Sequence, residues 1–331
     1  MRKDLLTKCT GILIAAAVAA MTVPPAHALD KIHVVTSRNS VFVLSYMGAR
    51  DAGVFRKHGI DLSVDARPFA GFLAAIPSKE AMVGQASGLG VISHINNGMD
   101  LVVMGGGLTV MNSLFALTSS DIHKITDLKG KKLGTWSTGA SAYAALRTTA
   151  LDGYNFDVAH DDQLLQIGPP ALFKLLQRGD VNAMINISSL TVAAYSQPEK
   201  FRMVFSPNEY WEKKTGYPLV WTSPVVAWRS WVDANRDRAR RFVEAMHDSY
   251  RWLRDPANLH AAVKKYGVLA GVKPGIAENT YARLLKEKRI FLDHWTKPVV
   301  DAEWKFLEAA KKLGVLKKVP PEDKYGLILT K

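Results

Sequence analysis

Residues 135–142 have the composition of a small anion-binding turn. Their sequence, Thr-Trp-Ser-Thr-Gly-Ala-Ser-Ala, follows a short apolar run and opens an apolar pattern of helical period. Gly139 lets a ligand approach the backbone closely, and the first amides of a helix, with the helix dipole, attract an anion. Ser137, Thr138 and Ser141 add hydroxyl groups. Plain capping of the helix by Ser or Thr is the alternative interpretation, and it is compatible with ligand binding.

Residues 37–42 occupy the matching place after an earlier apolar run. Asn39 and Ser40 could hydrogen-bond a ligand, and Phe42 could supply an apolar wall. Arg38 could pair with a carboxylate or sulfonate. The alternative for Arg38 is a solvated loop arginine, and the sequence leaves both interpretations open.

Further turns follow other predicted strands, at residues 85–88, 105–107, 168–170 and 186–189. Because the carboxyl ends of parallel strands meet at one edge of a sheet, we expect these turns to converge there. Trp136 and Trp221 adjoin the expected cleft and are aromatic candidates for ligand contact. The predicted ligand-binding residues are Ser37, Arg38, Asn39, Ser40, Phe42, Ser87, Gly88, Gly106, Trp136, Ser137, Thr138, Gly139, Ala140, Ser141, Gly168, Asn186 and Trp221.

The strand and helix patterns that must position these turns occur twice, about a hundred residues apart. The two copies share the order of apolar and polar segments but not the residues themselves. Alternating strand and helix periods predict an α/β protein with two lobes of mostly parallel sheet flanked by helices, and a ligand cleft between them. The predicted strands are 32–36, 61–65, 82–86, 101–104, 113–118, 132–135, 164–167, 183–186, 203–205 and 224–228. The predicted helices are 41–52, 69–78, 89–96, 141–151, 170–177, 189–197, 233–254, 259–267, 276–290 and 300–313. We expect lobe one to comprise 29–120 and 222–331, with the C-terminal helices, and lobe two to comprise 121–221.

Residues 1–28 have the features of a cleaved signal peptide. Arg2, Lys3 and Lys8 precede an Ala-rich uncharged stretch, and Ala26-His27-Ala28 matches an A-x-A cleavage signal. An uncleaved anchor is the alternative, although the apolar run is shorter than the roughly 20 residues that span a bilayer. The single cysteine, Cys9, lies within this segment, so the mature chain would have no thiol.

The formal charge of the full chain is +13, and residues 229–331 hold 22 basic and 13 acidic side chains. This excess of basic residues could form a docking face for an acidic partner or for an anionic membrane. The alternative is a set of solvated amphipathic helices. Nucleic-acid binding fits poorly with export, and no such motif appears.

Enzyme and cofactor signatures are poor. No G-x-S-x-G segment and no H-x-x-x-H pair occurs, and Gly88-x-Gly90 lacks the third glycine of a dinucleotide fingerprint. We therefore predict no catalytic residue, no metal site and no cofactor.

Three stretches carry a resemblance to a known family: residues 48–62, 127–134 and 172–183. In order and spacing they resemble the solute-binding proteins of ABC importers, specifically the nitrate/sulfonate/taurine and thiamine-precursor family, over residues 29 to about 252. The resemblance implies a type II periplasmic-binding fold whose lobes close on one small ligand. It also implies delivery to an inner-membrane permease with its ATPase.

The chain departs from this family at two turns. Asn186-Ile187-Ser188 stands where many relatives carry an acid-proline-tyrosine segment, and Pro77-Ser78-Lys79 replaces a small-glycine pair. Ligand identity is therefore not carried over. The expectation is a monomeric periplasmic receptor for a small organic anion, a sulfonate or a carboxylate. The alternatives are a same-fold enzyme of a pyrimidine or cofactor pathway, and a ligand-loaded sensor partner.

Cleavage after Ala28 is directly testable. The mature protein should begin at Leu29, because the A-x-A signal places the cut there. N-terminal sequencing of the exported protein checks this, and a chain that retains Met1 after export would contradict it.

Overall fold

The computed structural model describes residues 28–160, 163–287 and 289–329, so nearly all of the predicted signal peptide lies outside the described residues. A strand is present at each of the ten predicted places. The strands are β1 Asp30–Ser37, β2 Ile60–Arg67, β3 Val83–Gln85, β4 Leu101–Leu108, β5 Leu114–Leu117, β6 Lys132–Thr135, β7 Gln163–Gln166, β8 Ala183–Ile185, β9 Phe201–Phe205 and β10 Ser223–Trp228.

Helices separate most of the strands and fill the last hundred residues. They are α1 Ala49–Asp51, α2 Val54–Lys57, α3 Phe69–Ala75, α4 Gly88–Asn96, α5 Ser141–Tyr154, α6 Pro169–Arg178, α7 Ser188–Tyr195, α8 Pro207–Thr215, α9 Arg229–Ala234, α10 Arg236–Leu253, α11 Pro256–Ala270, α12 Ile276–Lys286 and α13 Lys297–Lys312. Short 3-10 turns lie at Ile125–Leu128 and Glu322–Lys324. Among the described residues, no helix is both long and apolar enough to cross a membrane.

The helices differ from the predictions at several places. Helix α2 was not predicted, α9 and α10 replace the single helix expected over 233–254, and α12 ends four residues before the expected end at 290. The single helix expected over 41–52 contains a π-helical turn, Leu44–Gly48, before α1. Helix α8 was not predicted, although Ser206 and Glu209 have the Ser-x-x-Glu spacing of a capping box. In the structure the Ser206 hydroxyl accepts a hydrogen bond from Glu209 N at 3.2 Å, and Pro207 occupies the first turn.

The strands form two groups of mixed sheet, which we call the first and the second layer. The first layer lies in lobe one and the second in lobe two. In the first layer β1 pairs in parallel with β2, β10 pairs antiparallel with both β3 and β4, and β1 lies beside β3. The second layer is one sheet of order β7-β6-β8-β5-β9, in which β6 is parallel to β7 and β8. Strand β5 is antiparallel to β8 and β9, and it pairs here although the expected lobe boundary at residue 120 leaves it with lobe one. The antiparallel strands are β10 in the first layer and β5 in the second. Each is the first strand that the chain forms after it crosses from the other layer.

Helices cover both faces of each layer, because successive strand residues point to opposite sides. Val102 and Met104 of β4 pack in the cluster that contains α10, whereas Val103 packs in the cluster that contains α13. In β5, Leu114 lies on the α5 side and Phe115 on the α6 side. The near-continuous apolar strands of the sequence therefore reflect burial on both faces.

Two segments, 109–113 and 216–222, cross between the layers, and we call them the hinge. They are joined to each other by a hydrogen bond from Val110 N to Leu219 O at 2.8 Å. Glu303 of α13 is 1% exposed and accepts a hydrogen bond from Val220 N at 2.5 Å. Burial raises the pKa of this carboxyl to about 8, against the lowering effect of the Val220 N–H and the Tyr325 hydroxyl. The second crossing is thus attached to α13 by a buried, protonated acid.

The basic side chains of the last third divide into two groups. Arg238 and Arg241 both donate to the Asp30 carboxylate at 2.5 Å and hold the start of β1. Arg254 pairs with Asp293 at 2.8 Å. A second group is exposed and has no ion pair among the described residues: Arg236, Lys264, Lys273, Arg283, Lys286, Lys305, Lys311, Lys312, Lys317 and Lys318.

Glu303 should make stability depend on pH. Between its ordinary pKa of 4.5 and its folded pKa of about 8, the folded chain keeps a proton that the unfolded chain releases. The free energy of unfolding therefore falls as pH rises through this interval. Glu303→Gln is neutral throughout and keeps an oxygen for Val220 N, so this part of the pH dependence should disappear.

Urea unfolding of wild type and Glu303→Gln across that pH interval provides the measurement. Glu308→Gln, on the exposed side of the same helix, is the matched control and should retain the wild-type slope. Parallel curves for wild type and Glu303→Gln would contradict the assignment.

Candidate functional site

Helices α4 and α5 begin against each other, and one serine joins them. Helix α4 follows β3 in the first layer, and α5 follows β6 in the second. The Ser141 hydroxyl lies 3.0 Å from the Ser87 hydroxyl and accepts a hydrogen bond from Leu89 N at 3.0 Å. An amide in the first turn of α4 is therefore satisfied by a serine of the other lobe, and not by a cap within its own helix.

Trp221 of the second crossing lies directly beneath this junction. Its indole Nε1 donates to the carbonyl of Ser141 at 3.1 Å, and its ring packs on Phe306 with centroids 5.0 Å apart. A Cβ placed on Gly88 would come within 1.8 Å of the Trp221 carbonyl oxygen. Four predicted residues thus meet in what we call the hinge-side cluster: Ser87, Gly88, Ser141 and Trp221.

The remainder of the predicted lobe-two turn, 136–140, is open. Thr138 and Gly139 are exposed, and Trp136 and Ala140 are partly buried against the α5-side core. The Ser137 hydroxyl accepts from Gly139 N at 3.2 Å, and Thr138 donates twice to Gln166 Oε1 at 3.1 Å. Among the described residues, no side-chain cap hydrogen bond is found at Ala140, the N-cap of α5.

The predicted lobe-one turn divides into exposed and buried parts. Ser37 donates to Arg38 O at 3.0 Å, and Arg38 Nε donates to Ala66 O at 3.0 Å. Arg38 is exposed and has no ion pair among the described residues. Asn39 has a left-handed φ of 57° and donates its backbone N–H to Leu269 O.

Ser40 and Phe42 belong to the inner side of that turn. The Ser40 hydroxyl accepts from Phe42 N at 3.4 Å. Phe42 is 1% exposed, with its ring centroid 5.2 Å from Phe291 and 6.3 Å from Tyr250. It therefore packs in the lobe-one core in this arrangement of the lobes.

The last three predicted residues lie apart from the hinge-side cluster. Gly106 is buried within β4, where a Cβ would meet His294 O at 3.0 Å. Gly168 is exposed at the start of α6, where an added Cβ would meet no atom of the described residues within 4 Å. Asn186 is buried, and its side chain donates to Pro169 O and accepts from Ile187 N, so its polar atoms are already paired.

The structure also shows polar groups that the sequence did not single out. Asn112, in the first crossing, donates to Asn186 O at 2.6 Å and so joins the hinge to lobe two. Thr36 Oγ1 and Gln85 Oε1, at the ends of β1 and β3, are buried without a partner among the described residues. An unpaired buried polar atom costs about 1–3 kcal/mol, which a bound solute or water would recover. Polar residues at the last positions of buried strands are the sequence signal that could have identified Thr36.

The predicted ligand-binding residues include positive charge and no negative charge. Helix starts contribute partial positive charge, Arg38 contributes a full one, and none of the seventeen predicted residues is acidic. Within the described ranges, no group of three or more His, Cys, Asp or Glu side chains could hold a metal ion.

Comparisons with known proteins show the family and the fold of this chain. The family model described as NMT1/THI5 like matches residues 40–258, about two thirds of the chain. A search of curated protein sequences finds no match.

Solved structures share the fold at low sequence identity. The periplasmic aliphatic sulphonate binding protein SsuA from Escherichia coli is 16% identical, with a TM-score of 0.70, covering 89% of this chain and 92% of that one. The alkanesulfonate-binding protein SsuA from Xanthomonas axonopodis pv. citri, bound to MOPS, is 15% identical with a TM-score of 0.66 and covers 91% and 98%. The desulfurization enzyme DSZB is 13% identical with a TM-score of 0.58 and covers 90% and 96%.

The hinge-side cluster predicts a steric effect at Gly88. Gly88→Ala should lower the free energy of unfolding by about 1–3 kcal/mol, because the added methyl meets a backbone carbonyl that no rotamer change can move. Gly168→Ala, at another helix start with open surroundings, is the matched control and should stay within about 0.5 kcal/mol of wild type. Denaturant unfolding measures both, and equal stability of the two variants would be inconsistent with the contact.

Proposed function

The chain belongs to the NMT1/THI5-like family, and from that premise we propose that it is the solute-binding component of an ABC-type importer. In this proposal it captures one small organic anion between its lobes. The observation that carries the proposal is the junction of α4 and α5 across the lobes through Ser87 and Ser141. Two sheets whose helix starts face each other over a two-segment hinge form the arrangement in which lobe closure can enclose a solute.

The anionic character of the solute follows from the groups at this edge. First-turn amides stabilise an anion by about 0.3–1 kcal/mol each when exposed, and by more when water is excluded. The guanidinium of Arg38 uses Nε for Ala66 O, which leaves its Nη atoms for a carboxylate or sulfonate. The similarity to sulfonate-binding proteins makes alkanesulfonates the first compounds to test.

The hydrogen bonds of the hinge indicate how closure would be transmitted. Asn112 joins the first crossing to Asn186 O, and Trp221 joins the second crossing to Ser141 O. Both crossings are therefore attached to lobe two, the first just after β8 and the second at the start of α5. A ligand that bridges the lobes would bias the hinge only through its greater affinity for the closed state.

Location and partners belong to the same proposal. We place the mature protein in the periplasm as a monomer, exported by the signal peptide predicted at residues 1–28. Its partners would be an inner-membrane permease and the ATPase of that permease. A same-fold enzyme is the second candidate, because DSZB shares the fold, and a sensor partner in place of the permease is the third.

Thermal unfolding in the presence of candidate ligands tests the function. Alkanesulfonates and aliphatic or aromatic carboxylates form the anion panel, and primary amines form the cation panel. A true ligand should raise Tm progressively as its concentration passes Kd, because it binds only the folded state. Shifts with amines alone would contradict an anion site, and formation of a product from a bound compound would favour the enzyme.

Arg38 supplies a matched pair of variants for the same assay. Arg38→Gln should weaken the best anion by roughly tenfold or more, the loss of one charge-assisted hydrogen bond. Arg56→Gln makes the same charge change on α2, where Arg56 is exposed without an ion pair among the described residues, and should bind normally. Equal affinities would remove Arg38 from the site while leaving the transport proposal intact.

A further inference from the structure

A groove of about 540 Å³ lies where α12 meets lobe two, and none of the seventeen predicted ligand-binding residues lines it. Its lobe-two wall contains Phe115, Tyr195, Phe201 and Met203. Its other wall is the side of α12 that carries Ile276, Asn279, Thr280 and Arg283. The volume is within the roughly 300–1,000 Å³ typical of small-molecule sites.

The lobe-two wall is aromatic and fixed in position. The ring of Phe115 meets that of Tyr195 edge to face, with centroids 4.8 Å apart. The Tyr195 hydroxyl hydrogen-bonds to Ser113 Oγ at 2.9 Å and Met203 Sδ at 3.1 Å. Burial raises the pKa of Tyr195, with the Ser113 hydrogen bond opposing it, so this wall is uncharged at neutral pH. It can receive an aromatic ring or an alkyl chain.

Helix α12 supplies the polar side of the groove. The four residues that it contributes are spaced so that they share one helical face. The opposite face, with Tyr281 and Leu284, is buried in the lobe-one core.

Arg283 is exposed and has no ion pair among the described residues. The side chain of Asn279 makes no hydrogen bond with any of the described residues. The nearby Arg289, by contrast, is paired with Glu209. The groove thus combines an apolar wall with one unpaired cation and one unpaired amide.

We propose that this groove is a second binding site, separate from the cleft at the helix starts, for a small amphipathic anion. The apolar body of the ligand lies between Tyr195 and Ile276, and its carboxylate or sulfonate pairs with Arg283. Charge complementarity selects an anion, because Arg283 is the unpaired ionic group of the lining.

This site spans the lobe boundary. Ser196 of the α7 end donates to Thr280 Oγ1 of α12 at 2.9 Å within the groove. An occupant therefore contacts both lobes at once, and it stabilises the arrangement of lobes in which these two hydroxyls are bonded.

Fluorescence titration with anilinonaphthalene sulfonate, an aromatic anion, tests the site in the intact mature protein. Wild type should bind the probe with enhanced emission. Arg283→Gln should weaken binding by about tenfold or more through loss of a charge-assisted hydrogen bond. Lys286→Gln, which makes the same charge change on α12 outside the groove lining, should bind as wild type does. Circular dichroism of each variant confirms that it is folded.

Two further variants separate the groove from the cleft. Ile276→Asp places a negative charge on the α12 side of the groove and should also weaken binding. Ile276 is 71% exposed, so the fold should tolerate the change. A probe that occupies the cleft would respond to Arg38→Gln instead. The proposal is overturned if wild type does not bind the probe, if Arg283→Gln and Lys286→Gln have equal affinities, or if only Arg38→Gln weakens binding.

Discussion

The close approach of Gly88 to the Trp221 carbonyl is the constraint on which the relation between the lobes depends. Any side chain larger than hydrogen at position 88 would displace the second crossing. With that contact made, the Trp221 indole reaches the Ser141 carbonyl, and the Ser141 hydroxyl reaches Ser87 and Leu89. The start of α4, the start of α5 and the hinge are therefore fixed by one small set of short contacts.

This junction lies on the hinge side of the predicted ligand-binding turns. Thr138, Gly139 and Gly168 are exposed on the lobe-two side, and Arg38 and Asn39 are exposed on the lobe-one side. In the proposed closure, rotation of the lobes would remove water from these exposed turns. The attraction of their amide and guanidinium groups for an anion would then increase, since electrostatic interactions strengthen in a lower dielectric.

The C-terminal helices have structural roles that their net charge does not reveal. Arg238 and Arg241 hold the start of β1 through Asp30, and Glu303 holds the second crossing while remaining uncharged. Helix α12 is different, because one face joins the lobe-one core and the other contacts lobe two beside a groove. The last third of the chain therefore contacts the start of β1, the hinge and the boundary between the lobes.

The ten strand positions, the α/β class and the local turns could be predicted from the sequence, because strand and helix periods and Gly or Pro breaks act over a few neighbouring residues. The turns of the sequence also singled out Ser87, Gly88, Ser141 and Trp221 as ligand-binding residues. The structure brings the four together, and their role in ligand binding stays a prediction. Three outcomes could be seen only in the folded molecule: β5 joins the second layer, Phe42 packs in the core, and Asn112 of the first crossing is buried, as are Thr36 and Gln85 at strand ends. These outcomes depend on contacts between residues tens to hundreds of positions apart, and such contacts leave no period in the local sequence.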